Sequence, residues 1–154
     1  MKWITREKAK VDRIACPWLI KNFIDKEAEF IFVLPDQVLT EAEKENAISF
    51  DAPGAKFNHS SDGKCTFEVL IDHYKIKDQA IQKLAKVVHG ADVTKDIGTT
   101  PESAGLLTIA DGFRLISSDD HENMQKQFAV YDALYAYFQQ GFGTIEFTRK
   151  ILPQ

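Results

Sequence analysis

The chain has 154 residues, 44% of them hydrophobic and 27% charged, with a net charge of −4; this supports one self-sufficient core and argues against nucleic acid as a partner. Two cysteines, Cys16 and Cys65, exclude a disulfide-rich scaffold, and no apolar run reaches the ~18–20 residues of a membrane span. The charged start Met1-Lys2-Trp3-Ile4-Thr5-Arg6 is unlike a secretory signal, so a cytoplasmic protein with no membrane partner is expected.

Trp3-Ile4-Thr5 reads as a short strand. Val11, Ile14, Ala15, Trp18 and Leu19 have helical spacing, but Pro17 interrupts them. Because proline lacks a backbone donor and disfavours helix at the preceding residue, the expected helix starts at Pro17, with Cys16 as its cap. Glu29 to Val33 is aromatic and β-branched, a strand. Pro35 opens a polar helix to about Asn46, and Ile48-Ser49-Phe50 is another short strand. Two turn segments follow, Asp51-Ala52-Pro53-Gly54 and Ser60-Ser61-Asp62-Gly63.

From Thr66 the period becomes helical, with Phe67, Leu70, Ile71 and Tyr74 as one apolar stripe. Asp78 caps a helix ending at Gly90, and Thr100-Pro101 opens the next. Asp119 and Glu122 form a capping box for the longest helix, stopped by Gly141. The expected architecture is a mostly helical α+β single domain over residues 1–141, with five or six helices and a two- or three-stranded sheet. Residues 142–154 would be a C-terminal tail. The stripe Phe128, Tyr131, Tyr135 and Phe138 is core or the face of a homodimer.

Three places offer chemistry. Cys16, at an expected helix start beside Arg13, would have its thiolate favoured by the dipole, and the same donors would hold an oxyanion. The plainer reading is a buried, inert thiol, with Asp12 and Arg13 an ordinary ion pair. The second place runs from Asp51 to Asp72, where Cys65, Glu68 and Asp72 share a helix face and His59 lies in the loop before it. A histidine among carboxylates suits a divalent metal, although carboxylates at a helix start also need no metal to explain them. The third is Asp119-Asp120-His121. Asp119 is explained as a cap, while Asp120 and His121 are free to complete a metal site with His59. His89, in a last helical turn, is explained by the dipole, and His73 reads as surface. The sequence lacks a glycine-rich phosphate loop, a nucleophile elbow and a CxxC.

The run Lys10-Val11-Asp12-Arg13-Ile14-Ala15-Cys16-Pro17-Trp18-Leu19-Ile20, ending in Phe23-Ile24-Asp25, resembles the signature of the chromate resistance protein B domain. Phe50-Asp51-Ala52-Pro53-Gly54-Ala55, then His59 to Cys65-Thr66-Phe67-Glu68, then Asp119-Asp120-His121 agree in the same order. The resemblance extends from Trp3 to about Tyr137 and implies an association with chromate efflux, chromate-responsive regulation or chromate reduction. Longer members carry an N-terminal segment associated with regulation. Here the signature begins at residue 10, so that segment is expected to be absent and transcription-factor activity is not expected.

Three functions follow as expectations. The first is a metal-binding domain of a chromate or oxidative-stress response, with His59, Glu68 and His121 as ligands and Asp120 as a ligand or a support for one. It would hold Zn, Mn or Fe(II) and act by redox or Lewis-acid chemistry on a small anion received by Arg13. The second is a non-catalytic sensor of chromate or a similar small oxyanion, bound at Arg13 and Cys16. The third is a thiol reductase using Cys16 and Cys65. Asp12 and Asp51 are further site candidates.

Overall fold

The computed structural model describes residues 1–140, so the expected tail and the stop at Gly141 lie outside the described residues. Three strands, β1 (Lys2–Arg6), β2 (Glu29–Val33) and β3 (Ile48–Ser49), form a parallel sheet in the order β2-β1-β3. Trp3 is in register with Phe30 on one side and Ile48 on the other. Six α-helices complete the described residues: α1 (Asp12–Leu19), α2 (Val38–Glu45), α3 (Thr66–His73), α4 (Gln79–Asp92), α5 (Pro101–Ile116) and α6 (Asp120–Gln139). This is the mostly helical α+β arrangement expected from the sequence. Parallel strands need crossovers, and α1 and α2 supply them.

The first helix departs from expectation. It begins at Asp12, not Pro17, and Pro17 lies inside it. Cys16 is therefore mid-helix and caps nothing. An interior proline costs about 3 kcal/mol, but Ile14, Ala15, Cys16, Trp18 and Leu19 are all buried. Large apolar side chains contribute about 1.5–3 kcal/mol each on burial, so their packing outweighs the local penalty. The helix then widens into a π turn over Ile20–Ile24, closed by Asp25 N donating to Ile20 O at 2.7 Å.

The main core joins α1, α3, α4 and α6 to one face of the sheet, with Trp3, Trp18, Phe50, Phe67 and Tyr131 buried. Trp18 contacts the rings of Tyr131 and Tyr135 at 6.1 and 5.7 Å and donates to Asp132 Oδ1 at 2.8 Å. The aromatic stripe of α6 therefore packs at least partly as core. Helix α4 runs past Gly90 to Asp92, so Gly90 is not a stop. It is a close approach: a Cβ there would lie 2.4 Å from Ser103 Oγ on α5.

The expected caps form at the later helices, but the box at α6 is only half made, because Glu122 Oε2 accepts from Ser118 N and not from Asp119 N. Asp78 accepts from Ile81 N at 3.0 Å, Thr100 from Ser103 N at 3.2 Å, and Asp119 from Glu122 N at 2.8 Å. Pro35 opens a 3-10 turn, Pro35–Gln37, immediately before α2.

Candidate functional site

Open parallel sheets leave a crevice beyond the carboxyl ends of their strands. Here Arg6 ends β1, Asp12 starts α1 just after it, and Asp51 follows β3. The loop between β3 and α3 brings in His59, and the last residue of α4 brings in Asp92. Gly63, at φ 93°, turns that loop, and Ser60 Oγ accepts from Lys64 N at 3.1 Å.

His59 Nε2 lies 3.0 Å from Asp92 Oδ2, 3.4 Å from Asp12 Oδ2 and 3.4 Å from Asp51 Oδ1. Three carboxylates thus converge on one imidazole nitrogen. The Asp12 side chain is 1% exposed, whereas that of His59 is 42% exposed, so the cluster reaches solvent through the histidine. Each carboxylate is also fixed from behind. Asp12 accepts from Thr66 N at 2.7 Å and Phe67 N at 3.3 Å, which places it at the amino end of α3. Asp51 Oδ1 accepts from Thr66 Oγ1 at 2.9 Å. Asp92 Oδ1 accepts from Asp12 N at 3.3 Å.

Asp51 faces two ways. Its Oδ1 is toward His59, while its Oδ2 lies 3.4 Å from Arg6 Nη2 and 3.7 Å from Arg13 Nε. Its carbonyl accepts from Arg6 Nε at 2.9 Å, and its backbone is left-handed at φ 45°. Two guanidinium groups therefore flank the acidic cluster.

The electrostatics follow from crowding. Burial raises Asp12, and burial with the charges of Asp12 and Asp51 pushes Asp92 up to about 7. Burial also works to raise Asp51, but hydrogen bonds from His59 and Thr66 and the charges of Arg13 and Arg6 hold it low. Hydrogen bonds to Asp12 and Asp51 push His59 up to about 10 against partial burial. Burial and the neighbouring Arg6 lower Arg13. The arginines balance Asp51, and the remaining crowding is relieved by protons held within the cluster or by a cation in their place.

A second group adjoins the first. Glu68 Oε2 accepts from Cys65 N at 2.9 Å and contacts His89 Nδ1 at 2.6 Å, and His89 Nε2 contacts Asp96 Oδ2 at 2.7 Å. His89 and Asp92 are one helical turn apart on α4, so one helix end serves both groups.

The expected ligands divide between different places. His59 joins Asp12 and Asp92 in one group able to hold a cation, with Asp51 3.4 Å from His59 at its edge, whereas Glu68 joins Cys65 and His89. Asp120 accepts from Lys8 N at 2.9 Å and Ala9 N at 2.7 Å, pinning the turn where Lys8 has φ 60°. The ring of His121 packs edge-on against Phe32 at 5.2 Å. The groups able to hold a cation among the described residues include neither Asp120 nor His121.

Cys16 is fully buried, its Sγ 3.8 Å from Asp12 Oδ1, and burial with the nearby carboxylates pushes its thiol far up. Burial and Asp12 do the same to Cys65. Neither is the activated thiolate that a helix-start position for Cys16 implied. Asp92 and Asp96 do not stand out in the sequence, and His89, expected only to suit the helix dipole, instead joins Glu68 and Asp96. Asp92 did carry a signal, since an acid in the last turn of a helix opposes the helix dipole and needs another reason to be there.

These features define a mostly helical α+β domain with a histidine–carboxylate centre at the carboxyl edge of a small parallel sheet. The family model "ChrB, C-terminal domain" matches residues 3–138, and the chain belongs to that family. It is 34% identical over 140 residues to Protein ChrB of Cupriavidus metallidurans, covering 89% of this chain and 40% of that protein. The chain thus spans less than half the length of that relative. No solved structure matches it. No helix among the described residues is long and apolar enough to cross a membrane.

Proposed function

We propose that this domain binds a divalent cation among Asp12, Asp51, His59 and Asp92, and presents it beside Arg6 and Arg13 to a small oxyanion. The observation that carries this reading is the convergence of three carboxylate oxygens within 3.0–3.4 Å of His59 Nε2. An oxygen-rich set with one imidazole suits Mn(II), Fe(II) or Zn(II). A bound cation would supply Lewis-acid polarisation of the anion, or electrons if it is redox-active.

The protein's own groups have separate roles. Asp12, backed by the α3 amides, is a fixed anionic wall. His59 would release its proton to water on cation binding. Asp51, between His59 and the two arginines, would place an anion drawn to Arg6 and Arg13 beside a bound cation. Membership of the ChrB family supports placing this chemistry in chromate resistance, with chromate or a similar tetrahedral oxyanion as ligand.

The experiment is calorimetric titration of chelator-treated protein with Mn(II), Zn(II) and, without oxygen, Fe(II). Saturable binding that weakens at least tenfold in His59→Ala and Asp92→Asn is expected. Binding by none of the three metals contradicts the proposal.

One observation favours a second reading, a metal-free oxyanion sensor: Arg6 Nη2 and Arg13 Nε converge on the same oxygen, Asp51 Oδ2, at 3.4 and 3.7 Å. That reading requires oxyanion binding in the presence of chelator that survives His59→Ala and is lost in Arg13→Ala.

A further inference from the structure

Cys65, Glu68 and His89 are distinct from the centre just described. Cys65 is the residue before α3 and is fully buried, Glu68 is one turn along that helix, and His89 comes from α4. One ligand atom from each lies within 4.8 Å of the other two, which brings a thiol, a carboxylate and an imidazole together. We propose that these three side chains form a second cation site, one that takes a borderline-soft divalent ion of the Zn(II) or Co(II) class.

Three features support it. The donor types are sulfur, nitrogen and oxygen, the set Zn(II) prefers, in contrast to the oxygen-rich first group. Secondly, Asp96 Oδ2 holds His89 Nε2 at 2.7 Å while Nδ1 faces Glu68 at 2.6 Å. A carboxylate on one ring nitrogen that leaves the other directed inward is how proteins orient metal-binding histidines. Thirdly, the side chains of Glu68 and His89 are 24% and 17% exposed, so two of the three donors are open to solvent while the sulfur is buried.

Binding forms metal–sulfur, metal–nitrogen and metal–oxygen bonds. It releases the Cys65 thiol proton, and any second proton on His89, to water. No redox step is involved, and the site does not depend on occupation of the His59 centre.

The test is Co(II) titration of the full chain followed by absorption spectroscopy. The wild type is expected to show a near-ultraviolet sulfur-to-cobalt charge-transfer band saturating at one equivalent. The band should vanish in Cys65→Ser, persist in His59→Ala and require about 10–100-fold more Co(II) in Asp96→Asn.

Absence of the band in natively folded wild type at saturating Co(II) overturns the proposal without reference to any variant. Persistence of the band in Cys65→Ser also overturns it, because the sulfur would then be Cys16. If the band is intact but calorimetry finds no His59-dependent binding, the first centre fails and this one stands.

Discussion

Asp92 Oδ2 lies 3.0 Å from His59 Nε2, which joins the last residue of a long helix to an irregular loop. Asp12 and Asp51 are within reach of the same nitrogen, so a proton on His59 holds three acids together when no metal is bound. This makes the cation-free domain sensitive to base. Asp92, raised to about 7 from 3.8, loses its contribution to stability between about pH 3.8 and 7 and adds no further change above that. His59, raised from 6.5 to about 10, contributes stability that is complete below about 6.5 and lost as pH rises through about 10. Both effects have the same sign. Thermal melts in chelator should therefore show the melting temperature still falling between about pH 7 and pH 10, where His59 alone of the two contributes. With Mn(II) or Zn(II) bound the fall should be smaller, because the cation replaces the lost positive charge.

Asp12 combines charge with backbone support, and two substitutions separate these roles. Asp12→Asn keeps one oxygen, enough for the shorter Thr66 bond on Oδ2 but not also for Phe67 on Oδ1, and should weaken metal binding at least tenfold in a folded protein. Asp12→Ala leaves buried donors unsatisfied and should cost a further ~1–3 kcal/mol in urea unfolding. Equal stability of the two variants would contradict the role of Asp12 as a cap on α3.

Asp120 should behave in the opposite way. Its carboxylate holds the Lys8 and Ala9 amides, so Asp120→Ala should destabilise by about 1–3 kcal/mol while leaving metal affinity unchanged. Calorimetry on that variant checks this directly.

Cys16 and Cys65 are both buried, and their surroundings favour the neutral thiol. An alkylating reagent at neutral pH should label neither in the native protein and both in denaturant. Rapid labelling of the native protein at either residue would revive a thiol-based reaction.

Gly90 offers a test of packing alone. With Ser103 Oγ 2.4 Å from where a Cβ would be, Gly90→Ala should cost about 1–3 kcal/mol by overpacking, seen as a lower urea midpoint.

Much of the fold was legible in the sequence. Period, caps and turn residues located the strands and the later helices, because Asp78, Thr100 and Asp119 act through local hydrogen bonds that a sequence displays. Pro17 misled because its penalty is local, whereas the burial that outweighs it comes from α3, α4 and α6. The site was half legible. His59, Asp12 and Asp51 stand out as polar residues around loops, but only tertiary structure shows that α4 delivers Asp92 to them. The surroundings of His121 were hidden for the same reason: chain order cannot show that the start of α6 faces the Lys8 turn and Phe32.

The central claim is that His59, and not His121, belongs to a cation site. Elemental analysis of metal-loaded, desalted protein tests it most directly, on wild type, His59→Ala and His121→Ala side by side. His121→Ala should retain the wild-type metal content, and His59→Ala should lose one equivalent. Equal metal in all three, none in the wild type, or a loss in His121→Ala would contradict the account.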